Sequence, residues 1–180
     1  MSDRNIRVLW CGNTSSSNGW QFPPAVAREI RAITQGQRVC HLFGGRARFG
    51  LRCDIDPIVR PDVLSDAWLP PFRKDAFDVV VLDPPYHHFN VQMKQQLLQS
   101  AAYIARESVI WFHTLWISPS RGLIPRRSWL VRVGDTCAVR CLQEFTVRPG
   151  EKQPAPRYFT RGPAMKYNRW LAGQQGLPYE

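Results

Sequence analysis

The chain has 180 residues, of which 44% are hydrophobic, and this is enough for one domain with a real core. No apolar run is long enough to cross a membrane, and we expect no signal peptide. With 24 Lys and Arg against 14 Asp and Glu, the net charge of +10 favours a polyanionic partner. A surface that is basic only for solubility is the alternative.

Cysteine usage indicates the compartment. The five cysteines are odd in number, show no zinc-type pairing and lie mostly in or beside apolar stretches. We therefore expect buried, reduced thiols in a cytoplasmic protein. The residues are Cys11, Cys40, Cys53, Cys137 and Cys141.

The first predicted elements are a short edge strand over residues 6–11 and a helix over residues 23–34. Proline is favoured in a first helical turn, and Val26, Ile30 and Ile33 repeat at helical spacing. Phe22 directly precedes this helix.

Three short strands are predicted next, over residues 38–45, 51–57 and from residue 62. The first ends in a turn at Gly44 and Gly45. The second contains Asp54, and the third leads to Asp66. Phe43 and Asp54 are too close in sequence for both a helix and a strand, so we expect a loop there.

A run of β-branched residues at positions 79–82 predicts a buried parallel strand, which Pro84 and Pro85 must end. Asp83 and Tyr86 then lie at the strand tip, where open α/β sheets bind ligands. The lone pair of an exocyclic base amine is delocalised, and Asp83 would orient it by accepting a hydrogen bond. The prolyl backbone would offer a carbonyl to the second N–H, and Tyr86 would stack on the base.

The second half of the chain predicts a helix over residues 91–106, a strand over 108–116, a loop over 118–127 and a hairpin. The hairpin strands are 129–133 and 137–147. His87 and His88 follow the strand tip. We interpret them as structural or substrate-contacting rather than metal-binding, because no third ligand is evident.

The composition changes near residue 150, and we predict one domain over residues 1–150 and a basic aromatic tail over 151–180. Cations interleaved with aromatics, as in Lys166-Tyr167 and Arg169-Trp170, suit phosphate contact plus base stacking. They are equally typical of a tail whose aromatics fill a groove on the domain.

Asp83-Pro84-Pro85-Tyr86 resembles motif IV of the S-adenosylmethionine-dependent amino-methyltransferases, which act on adenine N6, cytosine N4 or, in some RNA enzymes, guanine N2. The similarity is strong from residue 39 to 86 and looser from 22 to 147. Two features depart from the family pattern. His41 stands where the family usually has an acid, and the helix after the glycine turn is missing.

The resemblance implies an α/β fold of the Rossmann-like class I methyltransferase type, with a mostly parallel, seven-stranded-type sheet and an antiparallel edge hairpin. It implies S-adenosyl-L-methionine as cofactor and no metal. The family's glycines let the backbone pass close to the cofactor. The acid of the second strand accepts from the ribose hydroxyls and the acid of the third from the adenine amine. The implied cofactor-binding residues are Phe22, His41, Phe43, Gly44, Gly45, Asp54, Ile55, Asp66 and Ala67.

The implied reaction is methyl transfer to an exocyclic amine of a nucleobase, with adenine N6 in DNA favoured. The alternatives are adenine N6 or guanine N2 in RNA, and a non-catalytic subunit of this fold that binds nucleic acid. Asp83, Pro84, Pro85 and Tyr86 form the implied catalytic set. The candidate substrate-binding residues are His87, His88, Arg121, Arg126, Arg127, Lys166 and Arg169.

Overall fold

The structure is a computed structural model that describes residues 6–11, 22–84, 90–114, 117–119, 122–132, 139–151 and 155. The described residues form a mixed sheet with one helix on each face. The strands are β1 (Ile6–Trp10), β2 (Val39–Leu42), β3 (Leu51–Asp54), β4 (Val63–Leu64), β5 (Phe77–Leu82), β6 (Ala105–His113), β7 (Leu123–Arg132) and β8 (Val139–Val147). The helices are α1 (Pro24–Ile33) and α2 (Val91–Ile104), and a short 3-10 helix covers Pro57–Val59.

The sheet has the strand order β1-β7-β8-β6-β5-β2-β3-β4. All neighbouring strands are parallel except that β8 runs antiparallel to both β6 and β7. The predicted mostly parallel sheet with an antiparallel hairpin is thus confirmed. The predicted edge strand is confirmed as well, since β1 pairs with β7 and covers the outer edge of the hairpin. Strand order reverses between β2 and β5, and such a reversal opens a crevice at the carboxyl ends of the strands.

Helix α1 packs on one face of the sheet. Pro24 occupies its first turn, and Val26 and Ile30 are fully buried. They pack against residues of β2, β5, β6, β7 and β8, namely Val39, Val79, Val81, Ile110, Phe112, Trp129, Val131 and Leu142. The predicted helix at 23–34 is therefore confirmed to within one residue at each end.

Helix α2 packs on the opposite face. Asn90 caps it by accepting a hydrogen bond from the Met93 N–H at 2.9 Å. Its buried residues pack against the alternate residues of the sheet, namely Cys40, Leu42, Val80, Leu82, Val109 and Trp111. No helix in the described part of the chain is long and apolar enough to cross a membrane.

Strand β6 begins at Ala105, three residues before the predicted start. Arg106 and Glu107 are charged and exposed, so the pattern of hydrophobic residues does not indicate that the strand begins before them. Arg106 instead serves an ion pair, since its Nη2 lies 2.8 Å from Oδ1 of Asp78 on β5.

The crossover from β2 to β3 is a loop without a helix, as predicted. Two contacts hold it. The Gly44 N–H donates to the Cys53 carbonyl at 2.8 Å, and Nη2 of Arg31 on α1 donates to the Arg48 carbonyl at 3.4 Å. Cys40, Cys53 and Cys141 are buried, as predicted, whereas Cys11 is only half-buried, and Cys137 lies outside the described residues.

The prediction of a single loop over residues 118–127 is wrong for its second half, because β7 begins at Leu123. Pro125 and the arginines after it suggested a loop. A register shift between Pro125 and Arg127 accommodates the proline within the strand, as bulges commonly do. Arg126 and Arg127 therefore belong to the sheet.

Candidate active site

The carboxyl edge of the sheet gathers four predicted site residues. In the pairing register Leu42 lies beside both Leu82 and Cys53, so the next residues, Phe43, Asp83 and Asp54, end neighbouring strands. Neighbouring strands lie about 4.8 Å apart, which sets the backbones of Asp54 and Asp83 about 10 Å apart on either side of β2. Asp66 reaches the same edge, because Ser65 N–H donates to the Asp54 carbonyl at 2.9 Å.

The glycine turn after β2 packs closely against β3. A Cβ added to Gly44 would lie 2.8 Å from Cβ and 3.0 Å from Cα of Arg52 on β3. Phe43 and Gly45 have φ values of 61° and 47° in the left-handed region. Close approach to a cofactor was the expected reason for Gly44. The contact that the structure shows is with the backbone of β3.

Asp54 ties the end of β3 to the glycine turn. Its Oδ2 accepts from Gly45 N–H at 2.8 Å and its Oδ1 accepts from Asp56 N–H at 3.0 Å. Burial raises the pKa of this carboxyl, and the two backbone hydrogen bonds oppose that rise. A carboxylate has about four acceptor positions, so each oxygen keeps capacity for a further donor. Ile55, half-buried, follows directly.

Asp66 organises the loop after β4. Its Oδ1 accepts from Trp68 N–H at 2.9 Å, which fixes a turn containing the buried Ala67. The Trp68 carbonyl in turn accepts from Ser100 Oγ of α2 at 2.9 Å. The loop is thus anchored to the helix on that face, with the Asp66 side chain half-buried at the edge.

His41 and Phe22 form an aromatic cluster beneath the edge, on the α1 side. The His41 ring is 1% exposed and lies 5.9 Å from the Phe22 ring and 4.6 Å from the Phe49 ring. Burial, aided by the charge of Arg52, lowers the pKa of His41 to about 4, so the imidazole is neutral. Its Nε2 is buried with no hydrogen-bond partner among the described residues. Direct contact of His41 with a cofactor stays a prediction.

Phe22 links α1 to the edge. Its ring also lies 5.9 Å from that of Phe112, the residue next to the last one on β6. The start of α1 therefore lies beneath the ends of β2 and β6.

A buried polar network at the end of β6 escaped the sequence analysis. His113 Nε2 lies 2.8 Å from Gln143 Oε1, which also accepts from Ile117 N–H at 2.8 Å. Since Oε1 can only accept, His113 is assigned as the Nε2–H tautomer. Burial lowers the pKa of His113 to about 4, against the opposing effect of the bond to Gln143. These hydrogen bonds hold residue 117 near the end of β6, the strand that pairs with β5. A glutamine within the apolar strand 139–147 was the available signal.

Arg126 and Arg127 are engaged with a buried acid. Glu144 of β8 has a side chain only 3% exposed, and it pairs with Arg126 Nη1 at 3.2 Å and with Nε of Arg127. The hydrogen bond to Glu144 raises the pKa of Arg127. In register Glu144 lies beside Ile110, two residues before Phe112. Both arginines therefore lie below the carboxyl edge, and a substrate contact by either stays a prediction.

The remaining predicted site residues lie mostly outside the described part of the chain. Asp83 is half-buried and Pro84 buried directly after β5. The described residues do not include Pro85, Tyr86, His87, His88, Arg121, Lys166 and Arg169. Their roles stay predictions.

Several solved structures with a similar fold are methyltransferases. The 1,6-didemethyltoxoflavin-N1-methyltransferase of Burkholderia thailandensis matches with a TM-score of 0.53 at 11% identity, over 69% of this chain and 79% of its own. The N-methyltransferase NodS of Bradyrhizobium japonicum WM9 matches with a TM-score of 0.53 at 8% identity, over 74% and 99%. TrmN from Thermus thermophilus matches with a TM-score of 0.50 at 14% identity, over 70% of this chain and 49% of its own.

No protein-family model matches the sequence, and no curated protein does either. The identities to the solved structures are low, so the likeness concerns the fold. The strand order, with the last strand of the chain, β8, inserted antiparallel between β6 and β7, agrees with that likeness. The chain therefore has the Rossmann-like fold of the class I methyltransferases.

Proposed function

We propose that this protein transfers a methyl group from S-adenosyl-L-methionine to an exocyclic amine of a nucleobase, with adenine N6 in DNA as the favoured target. The observation that carries the proposal is the convergence of Asp54 and Asp83 on one sheet edge, on either side of the glycine turn. The two acids would then flank a crevice in which a cofactor and an acceptor can meet.

The residues on the Asp54 side fit a nucleoside. Asp54 keeps acceptor capacity on both oxygens, which suits two adjacent ribose hydroxyls. Ile55 offers an apolar surface to an adenine ring, and Asp66 is proposed to accept from the adenine amine. The toxoflavin methyltransferase of the same fold was crystallised with S-adenosylhomocysteine. We propose Phe22, His41, Phe43, Gly44, Gly45 and Ala67 as the remaining wall of this half.

When bound, S-adenosyl-L-methionine supplies an electrophilic methyl group on a sulfonium leaving group. The task left to the protein is then alignment and orientation of the amine. Asp83 would accept a hydrogen bond from the amine and orient its lone pair for attack, and the methylated amine would release one proton to solvent. Pro84 is buried and restricts the backbone that carries Asp83. Tyr86 stacks on the base, and the backbone at Pro84-Pro85 accepts the second amine hydrogen.

Nucleic acid is the proposed substrate class because the net charge is +10 and arginine forks onto phosphates. We propose that residues around the edge and in the tail recognise the nucleic acid, including His87, His88, Arg121, Lys166 and Arg169. A base in a duplex must be flipped out to reach Asp83. RNA adenine N6 or guanine N2 is the alternative target.

Replacing Asp83 tests this proposal. Asp83→Ala should abolish transfer of labelled methyl to nucleic acid while cofactor affinity, measured by calorimetry, stays nearly unchanged. Glu107→Ala is the matched control, because Glu107 is an exposed acid near the opposite end of β6. Transfer near the wild-type rate by Asp83→Ala would remove Asp83 from the mechanism.

The shortened crossover after β2 favours a second candidate, a non-catalytic subunit that binds nucleic acid. In that case calorimetry of the wild-type protein would detect nucleic-acid binding but no cofactor binding. The methyltransferase proposal requires both.

A further inference from the structure

An exposed apolar patch lies on the outer part of the sheet, on the face opposite α1. In register Val8 of β1 lies beside Leu130 of β7, and Trp10 lies beside Arg132, which pairs with Val139 of β8. Val8, Trp10 and Val139 are 71%, 67% and 53% exposed, and Leu130 is 37% exposed. We call Val8, Trp10, Leu130 and Val139 the outer patch.

The outer patch is exposed because α2 packs mainly over β5 and β6, several strands away from β1. Residue 117 lies beside β8 on the same face as α2. Its N–H donates to Gln143 Oε1 at 2.8 Å, and its carbonyl accepts from Gln143 Nε2 at 3.3 Å. None of the four residues of the outer patch belongs to either buried apolar cluster of the described residues. The other face of the same strands is closed, since Val131 and Leu142 are fully buried under α1.

We propose that the segment 156–180 of the same chain docks on the outer patch. The segment is rich in large apolar side chains, which are Tyr158, Phe159, Met165, Tyr167, Trp170, Leu171, Leu177 and Tyr179. Contact between these residues and the patch would remove apolar surface from water on both sides, which is the main source of association free energy.

The chain is long enough for this contact. β8 spans nine residues from Val139 to Val147, about 27 Å, and Val147 lies at the far end from the patch. Residues 152–160 span about 30 Å when extended, so the segment can return along the sheet and still leave residues 161–180 to cover the patch.

Docking there has a consequence for the site. Arg132 and Val139 lie at the end of the sheet where β5 and β6 finish, because β7 runs parallel to β6. A segment docked on the outer patch would therefore lie at the same end of the sheet as Asp83, with β8 and β6 between β7 and β5. Docking of the segment on the outer patch does not depend on methyl transfer.

Photo-crosslinking of the full chain tests the docking. Benzoylphenylalanine in place of Trp10 should give intramolecular crosslinks to peptides of 156–180, mapped by mass spectrometry. The same group in place of Leu64, which is 63% exposed on β4 at the opposite edge of the sheet, should not. Crosslinks from position 10 only to a second copy, only to added nucleic acid or to nothing would each overturn the proposal.

Hydroxyl-radical footprinting gives an independent readout. In wild-type protein the side chains of Tyr167, Trp170 and Tyr179 should react severalfold more slowly than in Trp10→Asp, because the charge disrupts the docked state. Leu64→Asp should leave their reactivity unchanged. Both substitutions are at exposed positions, so the fold should survive. Equal reactivity of the three aromatics in wild type and Trp10→Asp would contradict docking.

Discussion

At the scale of single residues, Asp54 has both a structural and a proposed binding role, and these can be separated. A hydrogen bond to a charged acceptor is worth about 1.5–3 kcal/mol, so Asp54→Ala should weaken S-adenosyl-L-methionine binding by about tenfold to a hundredfold. Asp54→Asn, which retains an acceptor oxygen, should lose less. Calorimetry on the purified protein measures each affinity.

Asp56→Ala is the matched control for Asp54, because Asp56 accepts from Ile58 N–H at the start of the neighbouring 3-10 helix. It should leave the affinity nearly unchanged. An unchanged affinity in Asp54→Ala would mean that the cofactor binds elsewhere.

Two buried histidines make stability depend on pH. His41 and His113 have pKa values lowered from 6.5 to about 4 in the folded state. Between these values the unfolded chain binds more protons, so stability is full above about pH 6.5 and is lost as the pH falls toward 4. Each imidazole contributes up to about 3 kcal/mol to this loss.

His41→Phe removes one of these titrating groups while keeping an aromatic ring between Phe22 and Phe49. Urea unfolding at pH 7 and pH 5 should show a smaller loss of stability in this variant than in wild type. Identical losses in the two proteins would show that His41 is not a buried neutral imidazole.

The residues of the candidate site differ in how well their positions and contacts could be predicted from the sequence. Asp54 and Asp83 were predictable because each ends an apolar strand. The His113–Gln143–Ile117 network was not, because its partners are 26 and 30 residues apart and meet only through the antiparallel pairing of β6 and β8. Likewise Arg127 gave no sign that it pairs with a buried Glu144.

At the scale of elements, the β2–β3 turn depends on Gly44. An alanine there would place Cβ within 3.0 Å of two β3 atoms, which can yield only if β3 shifts away from β2. Overpacking of this kind costs about 1–3 kcal/mol. Gly44→Ala should therefore lower the free energy of unfolding and, by moving Asp54, also weaken cofactor binding.

Gly36→Ala provides the comparison, since a Cβ there meets nothing within 4 Å, although its φ of 77° strains an alanine. It should lower stability by about 1 kcal/mol and leave cofactor affinity intact. Chemical denaturation and calorimetry on both variants separate these effects. Normal cofactor affinity in Gly44→Ala would show that the turn tolerates a shift of β3.

The elements themselves followed from local patterns where these were unambiguous. Helix α1 and strand β5 carry clear periodicity or continuous apolar runs and were predicted to within two residues. The start of β7 was missed because Pro125 argues locally against a strand, and only the bulge opposite β8 reconciles the two.

At the scale of the whole molecule, the order of strands, acids and glycines along the chain was enough to predict the fold and the placement of Asp54, Asp66 and Asp83 at one edge of the sheet. Sequence patterns could not reveal that Val8 and Trp10 are exposed in the described part of the chain, because their exposure depends on where α2 packs. The chemistry of the acceptor likewise depends on residues beyond the sheet edge.

The most direct measurement is methyl transfer from tritium-labelled S-adenosyl-L-methionine to DNA and to RNA, followed by mass spectrometry of the released nucleosides. We predict N6-methyladenine in DNA, formed by the wild-type protein and absent with Asp83→Ala. Methylated adenine N6 or guanine N2 in RNA alone would keep the reaction and change the substrate. Binding of the cofactor without methyl transfer to any base in either nucleic acid would contradict the proposed function.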